Sequence, residues 1–168
     1  MNVIIVAATS IDGFIARDTT ELADWTGSED KKVFVELTKR AGVVVMGSTT
    51  YKTIGHPLKG RRNIVYSRSD TGIAVEDNNL EITQELPANL ISRLEAEGHT
   101  EVAICGGSEI YDMFLQAGVV DEIYLTVVPT VFGTGVPLFK NPIEQNLKLI
   151  SQRDLGNSTL LLQYEVTK

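Results

Sequence analysis

Short apolar, β-branched runs alternate along this chain with stretches in which apolar residues recur every three or four positions. The runs fall at Asn2 to Thr9, Gly42 to Met46, Arg61 to Tyr66, Glu101 to Cys105 and Asp121 to Val128. Each is bounded by turn-forming residues, which predicts buried strands. Helical spacing predicts helices over Ser28 to Arg40, Ser48 to Ile54, Leu86 or Pro87 to Glu97, and Ser108 to Ala117. Strands alternating with helices imply an α/β fold whose largely parallel sheet is covered on both faces. The tail departs from this rule: "LKLISQRDLGNSTLLLQYEV" is two strand-like runs around Gly156-Asn157, a hairpin signal that predicts an antiparallel edge. No repeat, low-complexity tract or linker interrupts the pattern, so residues 1–168 are expected to form a single domain.

Ligands of open α/β sheets bind beyond the carboxyl ends of the strands, which directs attention to the strand–helix junctions. In "VVVMGSTTY" a strand passes through Gly47 into Ser48, Thr49 and Thr50; in "VAICGGSEIYDMFL" another passes through Gly106-Gly107 into Ser108. Glycine lets a ligand approach the backbone, and the free N–H groups of a first helical turn attract anions, although the same sequences also serve ordinary capping. The GxGxxG dinucleotide fingerprint is absent. In "GSEDKKVFVEL", Ser28 is expected as N-cap, with Glu29 and Asp30 in the first turn. Asp30 also lies three, four and seven positions before Val33, Phe34 and Leu37, on the apolar face. It is either a dipole partner at a wet helix end or a carboxylate held over an apolar cleft.

Bulk composition narrows the classes. Hydrophobic residues make up 43% and charged residues 22%, and no stretch approaches the ~20 apolar residues of a bilayer span, so no membrane association is expected. At this length folding buries roughly 70% of the surface an unfolded chain exposes, enough for one real core. The start has no basic leader before its apolar run, so a cytoplasmic setting is expected. The net charge of -7 argues against nucleic acid as partner, although local basic residues exist from Lys59 to Arg62 and at Arg68. One cysteine, Cys105, and two histidines, His56 and His99, make neither a disulfide nor an ordinary zinc site, so no metal is expected. Cys105 reads as a small buried hydrophobe, and no heptad or long apolar stripe declares an oligomer interface.

Taken in order, the motifs resemble those of the dihydrofolate reductase family over nearly the whole chain. "DWTGSEDKKVFVELT" is similar to its W-x(4)-D-x(3)-F-x(3)-T pattern through Trp25, Asp30, Phe34 and Thr38. "VVVMGSTTYKTIGHPLKGRRNIVYSR" is similar to its second signature, and "AICGGSEIYDMFL" with "DEIYLT" to its last segments. The resemblance implies a three-layer α/β/α sandwich and NADPH-dependent reduction of 7,8-dihydrofolate to tetrahydrofolate. It implies Asp30, Thr126 and Tyr111 as catalytic residues: Asp30 as the ionisable group that binds the pterin edge, Thr126 as the threonine ordering a water beside it, and Tyr111 at the edge of the nicotinamide site. Phe34 and Ile54 match residues packing the ring and aminobenzoyl group, and Arg61 the arginine that pairs the substrate's α-carboxylate; Val6, Ala8, Leu58 and Cys105 complete the substrate pocket. For NADPH the resemblance implies Ala8, Ile15 and Ala16 at the nicotinamide. It implies Gly47, Ser48, Thr49 and Thr50, then Ser67 and Arg68, then Cys105, Gly106, Gly107, Ser108, Glu109, Ile110 and Tyr111 along the rest of the dinucleotide.

Two departures stand out. Ser48 occupies the place of the arginine that usually meets the 2′-phosphate, and Arg68 is the expected replacement. The long "SIDGFIARDTTELADW" segment, with "DEIYLTVVPTVFGTGVPLF", looks like the reductase domain of riboflavin biosynthesis, which implies a ribosylaminopyrimidine phosphate as the alternative substrate. "GTGVPLF" also reads as a plain glycine-rich turn, and Asp12 and Glu21 as loop solvation. His56 reads as part of a surface turn, and His99 as a residue suited to a helix end.

Overall fold

A computed structural model describes residues 1–69, 73 and 78–168. The elements run β1 (Asn2–Ser10), β2 (Phe14–Ala16), α1 (Ser28–Ala41), β3 (Val43–Gly47), α2 (Ser48–Ile54), β4 (Arg62–Tyr66), β5 (Leu80–Thr83) and α3 (Pro87–Ala96). They continue with β6 (Glu101–Ile104), α4 (Ser108–Gln116), β7 (Glu122–Val128), β8 (Val136–Pro137), β9 (Leu147–Gly156) and β10 (Thr159–Val166). Eight strands form one sheet in the order β5-β4-β3-β6-β1-β7-β10-β9. Every pair from β5 to β7 is parallel, and β10 runs antiparallel to both β7 and β9. This is the expected mostly parallel sheet with an antiparallel C-terminal hairpin.

The apolar runs are strands because both faces are covered: Val43, Val44, Val45 and Met46 of β3 are all fully buried. One face carries α1 through Val33, Leu37 and Ala41, packed with Ile4, Val44 and Met46. The other carries α3 and α4 through Leu90, Leu94 and Phe114, packed with Ile5, Val45 and Ile104. Phe114, Leu90 and Leu94 are completely buried, each worth about 2–3 kcal/mol of transfer free energy.

The structure corrects the capping assignments. Ser28 and Ser108 are the first residues of α1 and α4, and the N-cap positions are Gly27 and Gly107, with no side-chain cap bond at either. Ser28 instead turns to the Glu29 carboxylate, and Ser108 donates to the carbonyl of Pro137. Three strands are additions to the sequence pattern. β5 is only four residues long, and β2 and β8, of three and two residues, form a small antiparallel ribbon of their own. "GTGVPLF" is therefore more than a turn. A side chain at Gly135 would collide with the carbonyl of Ala16, so only glycine lets the two segments close up.

Candidate active site

The carboxyl ends of the parallel strands open into a cleft of about 1440 Å³. Its floor is the ends of β1, β3, β4, β5 and β6, and its walls are α1, α2 and α4. Nearly all the residues named from the sequence line it: Val6, Ala8, Ile15, Ala16, Asp30, Phe34, Gly47, Ser48, Thr49, Thr50, Ile54, Leu58, Arg61, Ser67, Arg68, Cys105, Gly107, Ser108, Glu109, Ile110 and Tyr111. Gly106 and Thr126 stand just behind. Thr126 is 2% exposed in β7, opposite Ala8 of β1, and lies outside the cleft lining.

Asp30 answers the question its spacing posed. It sits in the first turn of α1 and faces the cleft together with Phe34, one turn further on. Its carboxylate makes no hydrogen bond or ion pair with the described residues, whereas Glu29 beside it is tied to Lys32 at 2.9 Å. An acceptor-only group over an apolar floor is thus left for a ligand. Arg61 is its counterpart. The residue is 8% exposed, its Nη1 donates to Thr38 Oγ1 at 2.8 Å and its Nε to the carbonyl of Lys59 at 3.0 Å. No acid pairs with it among the described residues. Burial lowers its pKa from the ordinary arginine value, the mark of a cation held without a counter-charge. Thr38, completely buried, is the residue that fixes this guanidinium, and its own hydroxyl donates to the carbonyl of Phe34 at 2.6 Å.

The glycine pair is packed as tightly as its sequence suggested. Gly106 has φ +101°, and a Cβ there would lie 2.9 Å from the Tyr111 ring and hydroxyl. Tyr111 is itself pinned, its hydroxyl donating to the carbonyl of Val6 at 2.9 Å. Burial, then the neighbouring Cys105 and Asp30, push its pKa well above the usual tyrosine value, so it serves as a neutral wall. The carbonyl of Gly106 accepts from the N–H of Gly47 at 2.8 Å, joining the two glycine-bearing junctions into one surface. Cys105 is buried and its thiol is pushed up to about 12, which removes it as a nucleophile at neutral pH. The arrangement fits a dinucleotide laid across Gly47 and Gly106-Gly107: the backbone is bare there, and Ser48, Thr49, Thr50 and Ser67 supply hydroxyls along the way. Arg68 stands exposed at the same end. Tyr66 lines this end too, its hydroxyl buried without a partner among the described residues.

Asp112, Val136, Lys140 and Asn141 also line the cleft and are absent from the sequence-based list. Asp112 is 2% exposed and accepts from the N–H groups of Lys140 and Asn141 and from Asn141 Nδ2, at 2.7–3.3 Å. With the Ser108–Pro137 bond it straps the segment after β8 onto α4. The available signal was an acid amid the buried positions of "EIYDMFL". Removing this carboxylate takes the acceptor from three part-buried donors at once, a net loss of about 0.5–1.5 kcal/mol per bond. Asp112→Ala is therefore expected to lower the thermal midpoint by roughly 5–10 °C, measured by circular dichroism. A midpoint unchanged within error would mean the strap is held by other contacts.

Asp12 is more than loop solvation. It accepts from Ser10 Oγ at 2.6 Å and from the N–H groups of Phe132 and Gly133, and these bonds, the Ser10 one largest, lower its pKa. His56 is exposed in a turn, its Nδ1 at 3.0 Å from the carbonyl of Pro57. No helix among the described residues is long and apolar enough to cross a membrane.

Known proteins place these observations in a family. The dihydrofolate reductase family model matches residues 2–160. Dihydrofolate reductase type 3 of Salmonella typhimurium is 33% identical over 128 residues, covering 76% of this chain and 72% of that protein. An uncharacterized Bacillus subtilis protein, YwjB, is 25% identical over 94% of both chains. Among solved structures, a putative riboflavin biosynthesis protein from Shewanella sp. PV-4 superposes with a TM-score of 0.85 at 24% identity over 100% of both chains. Acinetobacter baumannii RibD does so at 0.85 and 18% over 99% of this chain and 58% of that one. At such identities the structural likeness speaks for the fold, while the family model and the Salmonella enzyme speak for descent. The chain belongs to the dihydrofolate reductase family.

Proposed function

We propose that this protein reduces 7,8-dihydrofolate to tetrahydrofolate with NADPH. The observation that carries the reading is a complementary pair of charges on the cleft wall, Asp30 and Arg61, with Phe34 lining the cleft too and neither charge in an ion pair among the described residues. A flat heterocycle with an amidine-like donor edge and an anionic tail meets both. Asp30 accepts from the ring N–H and the 2-amino group, a bidentate match for a carboxylate. The same carboxyl group is placed to assist proton delivery at N5. Phe34, Ile54 and Leu58 flank the tail, and Arg61 takes its carboxylate with a planar fork. The cofactor, when bound, supplies hydride from nicotinamide C4; Ala8, Ile15 and Ala16 hold that ring in place and keep water from it. Thr126, from behind Ala8, takes part in ordering the water that reaches Asp30.

A second reading has its own support. The ribbon of β2 and β8 and the long segment before Trp25 match the features that resemble the riboflavin-pathway reductases, and Arg61 also suits a phosphate. The substrate is then a ribosylaminopyrimidine phosphate. Following loss of NADPH absorbance with each compound decides between them: dihydrofolate should be turned over at least tenfold more efficiently, and the reverse order moves the assignment to the second reading.

Ser48 leaves the 2′-phosphate without its usual arginine, and Arg68 is the exposed cation at that end of the cleft. Arg68→Ala is expected to raise the KM for NADPH about tenfold, the worth of one charge-assisted contact, and to leave the KM for NADH nearly unchanged. Equal effects on both cofactors would remove Arg68 from this role.

A further inference from the structure

The strand order β1-β6-β3-β4-β5 runs along the cleft from one end to the other. Ala8 belongs to β1, Gly106-Gly107 follow β6, Gly47 ends β3, and Ser67 and Arg68 follow β4. A dinucleotide whose nicotinamide meets Ala8 and whose phosphates meet the glycines therefore carries its adenosine ribose over β4 and β5. What β5 offers there is an acid. Tyr66 of β4 pairs with Thr83 of β5, and the N–H of Ser67 donates to the carbonyl of Thr83 at 3.3 Å, so the two strand ends lie side by side. Arg68 and Glu85 each stand two residues beyond that pair, and both line the cleft.

Glu85 is held in position and kept ionised. Its N–H donates to Thr83 Oγ1 at 3.1 Å, and that hydroxyl donates back to Glu85 Oε1 at 3.1 Å. Arg93 of α3 donates from Nη2 to Oε1 at 2.7 Å and from Nε to both oxygens at 3.2 Å. The Arg93 bond is the largest cause that lowers the Glu85 pKa. These bonds fall unevenly: Oε1 takes three and Oε2 takes one. Acceptor capacity is left on Oε2, and the side chain is 34% exposed. Nor does Arg93 cancel the charge. It also binds Glu81 and Glu97, which Arg62 shares, so two arginines meet three carboxylates and a negative charge is left in excess.

We propose, resting on the dinucleotide site described above, that Glu85 sets the choice of cofactor: its carboxylate accepts the 2′-hydroxyl of the adenosine ribose of NADH and repels the 2′-phosphate of NADPH. A carboxylate beyond a strand end is the partner that a ribose 2′-hydroxyl meets in other α/β dinucleotide sites. A phosphate brought to the same place meets a like charge and loses affinity. Ser48 brings no charge of its own, so Arg68 and Glu85 act in opposition on one position of the ribose. NADPH is then preferred over NADH by about tenfold or less, the worth of the Arg68 contact.

Fluorescence titration of the full chain with NADPH and with NADH tests this without any turnover. Glu85→Gln should raise the dissociation constant of NADH about fivefold and lower that of NADPH about threefold, shifts of opposite sign. Arg93→Gln strips the counter-charge from Glu85 and leaves the acid in place, so it should weaken NADPH about threefold and leave NADH no weaker. A merely structural role for the pair would move both cofactors together and both variants alike. Circular dichroism confirms that each variant is folded, and Glu85→Gln alone decides the matter if Arg93→Gln is not. Shifts of the same sign for the two cofactors overturn the proposal, and so does a ratio of dissociation constants that Glu85→Gln leaves unchanged while both still bind. A wild type that binds neither dinucleotide refutes the cofactor site itself, an outcome distinct from these.

Discussion

Exchanging Asp30 for asparagine is expected to cut turnover of dihydrofolate by about 10²-fold or more, the range set by losing a positioned proton-transfer group. The side chain keeps its size and its place in the first turn of α1, so the fold should not notice. What changes is chemical. A carboxylate offers two acceptor oxygens to the ring N–H and the amino group, whereas the amide turns one of them into a donor facing a donor. It also removes the only acid on the floor-facing side of α1. The bond to the ligand weakens and the proton route closes together, so kcat and kcat/KM should both fall. The position proposed for NADPH is on the Gly47 and Gly106-Gly107 side of the cleft, so its affinity should be nearly unaltered. Steady-state kinetics and a fluorescence titration with NADPH measure the two quantities separately. Turnover retained near neutral pH would falsify the role assigned to Asp30, and loss of cofactor binding along with it would point to a damaged fold.

The second large effect is expected at Gly106, where alanine should destabilise the protein by about 2–5 kcal/mol and abolish cofactor binding in what remains folded. Two costs add. A φ of +101° is open to glycine and strained for an L residue, roughly 1–2 kcal/mol, and a methyl group 2.9 Å from Tyr111 overpacks by a further 1–3 kcal/mol. Relief is not available cheaply. Tyr111 cannot retreat without breaking its bond to the Val6 carbonyl, and Gly106 cannot move without pulling on the N–H of Gly47. Gly118→Ala supplies the control: its φ is +66°, but nothing lies within 4 Å of the added methyl, so only the conformational cost remains. Thermal unfolding of the two variants side by side isolates the steric share, and equal losses would show that Tyr111 yields freely.

The fold was legible because both faces of the sheet are covered, which writes long β-branched runs into the sequence and makes strands such as Val43–Gly47 hard to miss. Short elements carry no such imprint. Val136–Pro137 is two residues held by Ser108 and by the space at Gly135, contacts that are distant in sequence. The capping serines misled for a related reason: the hydroxyl of Ser108 has a tertiary acceptor in Pro137, which outcompetes the local one. In the cleft, Asp30 and Gly106 were readable from spacing against apolar neighbours. Asp112 was not, since a lone acid in an amphipathic helix looks solvated until the backbone that it binds comes into view. Leu147 and Leu149 were equally hard to place, because in a strand pattern they look like core residues, whereas on the outermost strand they are 42% and 48% exposed.

One consequence follows from the small ribbon of β2 and β8. The segment between β1 and α1 is nailed down by Asp12 at one point and by pairing of Phe14 and Ala16 at the next, and it is caught again where the Trp25 ring meets Phe132 edge-on at 4.8 Å. The span from Arg17 to Leu22 lies between these fastenings and has ties of its own: Arg17 pairs with Glu21, and its guanidinium lies 4.2 Å over the Phe132 ring. Six residues reach about 20 Å when drawn straight, so this span works as a short awning hinged at both ends rather than a free flap. Whatever enters the cleft past Asp18 and Leu22 passes this span, which is held in part by Asp12, Phe14 and Trp25, residues outside the cleft lining.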